Sequence, residues 1–221
     1  MLNQIHWLGH NTFVISGEPL IYLNASVGGL ESPPPADVIA VTHASYDNCT
    51  PRVLEQLWQP ETRLLASTAH AECFAGYPVH VLRPWQSASL GRVSLTAVPS
   101  HPVKSLGGDG GQHTPVGYLI SKAYFDIYFA SETVHLPDTV ALRADIAILP
   151  VHNVRTGLLD LEHTLDVVRK LRPRWVIPGG WTENGRGYLD VKAFQAAVSE
   201  LAEVVIPQAV PISALKAVQG R

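Results

Sequence analysis

Residues 145–151, DIAILPV, are apolar at every position after the first. A run of that length without alternation reads as a strand buried on both faces. Such a strand needs a layer of structure above it and another below, and that requirement constrains the fold more than any other stretch. The next segment of chain supplies one of the layers. Asp160 is placed to cap a helix running to Leu171, with Leu161, Leu165 and Val168 on one face at helical spacing. RWVIP at 174–178 is a second strand. Asp190 opens another helix, with Val191, Phe194, Val198 and Leu201 inward, and VVIP at 204–207 is the closing strand. Strands alternating with helices in this half predict helices packed on a sheet.

The first half is richer in strands. QIHWLG, TFVIS and LIYLN are short, β-branched and aromatic, and are separated by turn residues. Residues 38–41 form another buried apolar run, and the prolines at 33–35 before it keep the preceding segment out of a strand. Pro51 opens a helix over 52–59. Strands are expected at 63–67, 79–82 and 92–98, and a hairpin over 116–121 and 124–130. Between them SLGGDGGQHT, 105–114, reads as a flexible loop at a pocket mouth. No linker or repeat divides the chain. The pattern predicts one α/β domain over 1–221, with two mixed sheets between outer helices.

Composition narrows the function. Hydrophobic residues are 46% and charged residues 16%, against about 25% in ordinary soluble domains, so the chain has a core and is not disordered. The net charge of −3 gives no basic excess to neutralise phosphates, which excludes nucleic acid as a general partner. Two cysteines, Cys49 and Cys73, make no disulfide framework. MLNQIHWLGH is not a signal peptide, and no apolar run is long enough to span a bilayer. A cytoplasmic protein without membrane partners is the expectation.

The ionisable residues that matter stand at strand ends, where ligands gather in open α/β sheets. His43 follows VIAVT, His101 follows SLTAVPS, Glu132 follows IYFAS and His152 follows AILPV. His6, His70, His80 and His163 sit in or beside ordinary elements and read as structural or surface histidines, as do His113 and His135. Ser100-His101 is not a nucleophile elbow, and the glycine loop lacks the Lys-Ser/Thr of a phosphate-binding loop.

The order of these segments resembles the metallo-β-lactamase superfamily, in particular the branch of L-ascorbate-6-phosphate lactonase and related metal-dependent hydrolases. WLGHNTFVI is similar to that branch's opening strand pair. VTHASYDN stands at its His-x-His-x-Asp-His motif, VPSHP at its third histidine, IYFASETVHLPD at its bridging aspartate and WVIPGGW at its last histidine. The resemblance implies a four-layer αββα sandwich with a site between the sheet edges. It also implies metal ligands at His43, Asp47 and His101, with Glu132 replacing the bridging aspartate and Ser45, Asn48 and Gly180 replacing histidines.

Serine, asparagine and glycine are poor zinc ligands beside imidazole and carboxylate. The expectation is therefore no dinuclear zinc centre. Either no metal binds, or one divalent metal, zinc or manganese, sits on His43 and His101 with Glu132 or Asp47. Asp47 is the candidate base. His10, by the same resemblance, lines the pocket. Ser45, Asn48, His152, Gly180 and Trp181 complete its candidate wall, with Trp181 as an aromatic surface or as core. A small molecule is the expected ligand. The acidic balance also makes a prediction: single-stranded RNA and duplex DNA should give no salt-dependent mobility shift at physiological ionic strength, and such a shift would overturn this reading of the charge.

Overall fold

A computed structural model of the chain describes residues 1–26, 32–43, 49–68, 70–100, 116–130, 136, 141–151, 161–181, 188–211 and 215. Strands β1 (Ile5–Gly9), β2 (Thr12–Ile15), β3 (Ile21–Leu23), β4 (Val38–Val41), β5 (Arg63–Ser67) and β6 (Val79–Leu82) form one sheet in chain order. β1, β2 and β3 pair antiparallel, and β3 to β6 pair parallel. Strands β7 (Ser87–Leu90), β8 (Val93–Pro99), β9 (Val116–Lys122), β10 (Phe125–Phe129), β11 (Ile146–Pro150), β12 (Trp175–Gly179) and β13 (Glu203–Val204) form the second, in the order β13-β12-β11-β10-β9-β8-β7. Its β7 to β10 part is antiparallel and its β10 to β13 part parallel.

Side-chain alternation explains the layering. In β4, Val38 and Ala40 enter the core between the sheets, while Ile39 and Val41 face the other way. Phe13 and Ile15 of β2, and Ile21 and Leu23 of β3, share the inner face; Val14 and Tyr22 share the outer one. A strand's period of two forces this division. The outer face of the first sheet is covered by helix α1 (Pro51–Leu57) through Val53, Leu54 and Leu57. Helices α2 (Leu161–Leu171) and α3 (Tyr188–Val198) cover the second sheet through Val167, Val168, Leu171, Val191, Phe194 and Val198. The result is the αββα sandwich of two mixed sheets that the sequence predicts.

Several local expectations change. The buried stripe of α2 is Thr164, Val167, Val168 and Leu171, which follows the i, i+3, i+4, i+7 rule. Leu161 and Leu165 flank that stripe and are only half-buried. Helix α3 starts before Asp190 and ends at Val198, so Leu201 lies beyond it and is exposed rather than inward. The closing strand is the short β13, not 204–207, and β7 is a strand the sequence reading lacked. Asp160 and the loop 105–114 lie outside the described residues. Among the described residues no helix is long and apolar enough to cross a membrane.

One phenol ties the sheets together. Tyr118 of β9 is fully buried, and its hydroxyl donates across the sandwich to the carbonyl oxygens of Val41 (3.0 Å) and Leu65 (3.4 Å). Burial pushes the phenols of Tyr22, Tyr118 and Tyr128 above the ordinary value of 10.0. The unfolded chain releases these protons near pH 10 and the folded chain does not, so their contribution to stability is complete below that pH and is lost as pH rises past it. Lys122 acts in the opposite sense. Its ammonium donates to the carbonyls of Glu18 and Pro19, and desolvation lowers its pKa from 10.5 despite the nearby Asp37 and Glu18. Its pull toward higher stability ends once the unfolded lysine has also lost its proton. Urea midpoints should therefore fall steeply above about pH 10.5. Tyr118→Phe should cost about 0.5–1.5 kcal/mol at pH 7 and flatten that fall; an unchanged alkaline slope would refute the assignment.

Candidate functional site

The site end of the sandwich follows from register. Phe13 pairs with Leu23 and Leu23 with Ala40, so the β1–β2 turn, Asn24 and Thr42-His43 lie at one end of the first sheet. In the second sheet Pro99 pairs with Val116, Phe129 with Tyr118 and Ile148, and Pro150 with Gly179. The Tyr118–Val41 bond and a bond from Gly180 N to His10 O (2.9 Å) bring these ends together. The carboxyl ends of β4, β8, β10, β11 and β12 thus share one end of the molecule, each just ahead of a segment singled out in the sequence.

His43 is the candidate ligand whose surroundings are described. It is buried, and its Nδ1 lies 2.8 Å from Thr42 Oγ1. Asn24, in left-handed backbone at φ 47°, grips Thr42 from the end of β3. Its Nδ2 donates to Thr42 Oγ1 (2.8 Å), and its Oδ1 accepts from Thr42 N (2.9 Å) and stands 3.2 Å from Thr42 Oγ1. Thr12 Oγ1 donates to the Asn24 carbonyl (2.9 Å). Thr42 has a single hydroxyl proton. If it goes to Asn24 Oδ1, the hydroxyl accepts from both Asn24 Nδ2 and His43 Nδ1–H, and every short contact holds a proton. If it goes to His43, the 3.2 Å contact holds none. Either distribution leaves each polar group of Asn24 and Thr42 with a partner, because Asn24 Oδ1 already accepts from Thr42 N. The ring of His43 is thus held in orientation through Nδ1, which meets the Thr42 hydroxyl.

The β1–β2 turn lies at the same end of the first sheet. Gly9 (φ 108°) and His10 (φ 46°) reverse the chain, and the side chain of His10 is exposed. The His10 carbonyl accepts from Trp7 Nε1 (2.8 Å) as well as from Gly180 N. Trp181 is buried and stacked on Trp7, with centroids 4.6 Å apart, and its Nε1 donates to Pro178 O (3.1 Å). It is therefore packing material as much as pocket wall. Gly180 sits at φ 75°; a Cβ there would have space, 3.6 Å from Pro150, but in a backbone conformation that L-residues avoid.

Cys49 follows the motif segment. It is buried at φ 51°, and burial pushes its thiol up to about 12 despite the backbone contact with Ala25. It is a poor nucleophile and a poor thiolate ligand. His70 takes Ser67 Oγ at 3.1 Å and His6 takes Ser16 Oγ at 3.0 Å, as structural histidines do; burial lowers the pKa of His6. Ser45, Asp47, Asn48, His101, Glu132 and His152 lie outside the described residues. Among the described residues no three His, Cys, Asp or Glu side chains gather as a metal set. The sequence reading missed Asn24 and Thr42. The signal was there, a polar residue at the end of each of two adjacent apolar strands.

Residues 4–179 match the family model of the Beta-lactamase superfamily domain. The chain belongs to that superfamily, and its fold is that of the metallo-β-lactamase-fold hydrolases. A Parabacteroides distasonis protein assigned as a metal-dependent hydrolase is 19% identical, with TM-score 0.74 over 92% of this chain and 91% of that one. The metallo hydrolase Igni18 of Ignicoccus hospitalis is 16% identical, with TM-score 0.67 over 93% and 94%. CmlA of Streptomyces venezuelae, a diiron β-hydroxylase, is 13% identical, with TM-score 0.69 over 92% of this chain and 52% of its own. At these identities the likeness is one of fold. Comparison with curated proteins gave no match.

The hold on Thr42 is directly measurable. Thr42→Val strands the Asn24 amide and the Nδ1 of His43 and should cost about 1–3 kcal/mol. An unchanged urea midpoint in that variant would refute the network.

Proposed function

We propose that this chain keeps the superfamily's cleft but not a dinuclear centre, and that it either binds a small molecule without turnover or is a weak hydrolase. The observation that carries this is Gly180. The position offers no side chain, and at its φ of 75° a side chain put there would be strained. Ser45 and Asn48 weaken the donor set further. What remains is His43 and His101 with Glu132 or Asp47, a set of two imidazoles and a carboxylate that suits at most one divalent metal, zinc or manganese. Bound there, such a metal would supply a Lewis acid and a more acidic water.

The second reading is a mononuclear hydrolase of an ester, lactone or phosphodiester, with Asp47 as base. The His43 network favours it, because a ring held in orientation through Nδ1 is useful to a ligand or a base and unnecessary to mere packing. In either case the chain's own contribution is the same: His43 is held by Thr42 and Asn24, and the turn at His10 is fastened to the end of β12.

Metal analysis decides the first point. Protein purified without added metal or chelator and then dialysed should carry at most one equivalent. Two retained zinc equivalents would overturn the reading. Gly180→His should not add a second metal, because the left-handed backbone would cost the new residue about 1–2 kcal/mol and misdirect its ring. Metal stoichiometry rising to two in that variant would mean that only the side chain had been lost.

A further inference from the structure

Asn11 stands in the β1–β2 turn beside His10, at the end of the sandwich that holds His43. It is 3% exposed, and its Nδ2 has no hydrogen-bond partner among the described residues. The other end of the same amide faces β12: Oδ1 lies 3.2 Å from the point a Gly179 Cβ would occupy, beside the ring of Phe13. Only a glycine at 179 lets this carboxamide fit there. An unsatisfied buried amide donor costs about 1–3 kcal/mol, and a leucine of similar volume would avoid that cost. A chain that holds a buried donor in this way, next to its candidate cleft, has a use for it.

We propose that Asn11 Nδ2 is the oxygen-anchoring donor of a ligand subsite at the β1–β2 turn, beside the Gly179-Gly180 end of β12. An amide N–H donates and cannot accept, so the group it takes is an acceptor oxygen, and a carboxylate or phosphate of the small molecule offers the strongest one. His10, the exposed residue before it in the chain, sets this turn next to solvent. A hydrogen bond to a buried donor keeps the strength of a low-dielectric site. The assignment rests on the reading of this end as a small-molecule cleft. It is independent of how many metals the cleft holds.

Thermal unfolding of the intact chain in sodium phosphate and in sodium chloride, at equal pH and ionic strength, tests it. Phosphate should raise the wild-type Tm by roughly 2–4 °C beyond chloride. In Asn11→Leu the chloride Tm should equal or exceed that of the wild type, because the orphan donor is gone, while the phosphate increment is lost. Asn11→Asp, which keeps the shape and replaces the donor with a repelling carboxylate, should lose the increment as well. General salting effects of phosphate would persist in both variants and are removed by the comparison. The proposal is overturned if the wild type shows no increment, if either variant keeps it, or if Asn11→Leu is clearly less stable in chloride. The series repeated in EDTA separates this from the metal reading. An increment that survives chelation belongs to Asn11, and one that vanishes belongs to a bound metal and sinks the proposal, whatever the metal count.

Discussion

The carbonyl oxygen of His10 is the point on which the site end depends. It accepts the indole N–H of Trp7 from its own sheet and the amide N–H of Gly180 from the other. The two donors come from opposite sides of the sandwich, so this one acceptor fixes the turn between β1 and β2 against the end of β12. The Trp7–Trp181 stack completes the clasp. Deeper in, the Tyr118 hydroxyl performs the same task on the carbonyls of Val41 and Leu65. Apolar packing between sheets is non-directional and leaves them free to slide. Directional bonds at two depths do not, and they fix the two sheets against each other at the end that holds His43.

With the walls fixed, the chemistry left to the chain is a matter of hydrogen-bond arithmetic. One threonine hydroxyl, one asparagine amide and one imidazole share a limited number of protons in contacts of 2.8 to 3.2 Å. The left-handed backbone at His10, Asn24 and Cys49 belongs to this end, where turns are tight and side chains must be aimed. The same fold carries hydrolases and a diiron hydroxylase, so the fold alone does not select the reaction.

Much of this was legible in the residues. The unbroken apolar runs at 38–41 and 146–151 announced strands covered on both faces, and both are buried throughout. Which side chains stand at 45, 48 and 180 is visible as letters, and what each could offer a metal is a property of the side chain itself. Leu201 was misread because a helical period says nothing about where the helix stops. Trp181 could not be apportioned between pocket and core until its partner Trp7, far away in sequence, was known.

The sequence by itself determined the layering, since periodicity is a property of neighbouring residues. Only the tertiary structure decided that the Asn24 amide meets Thr42, that the Thr42 hydroxyl meets the ring of His43, and that Asn11 is buried with a donor to spare. These depend on which strands pair and in what register. A hydrogen bond is made or lost within a few tenths of an ångström, on a scale that no reading of local pattern resolves.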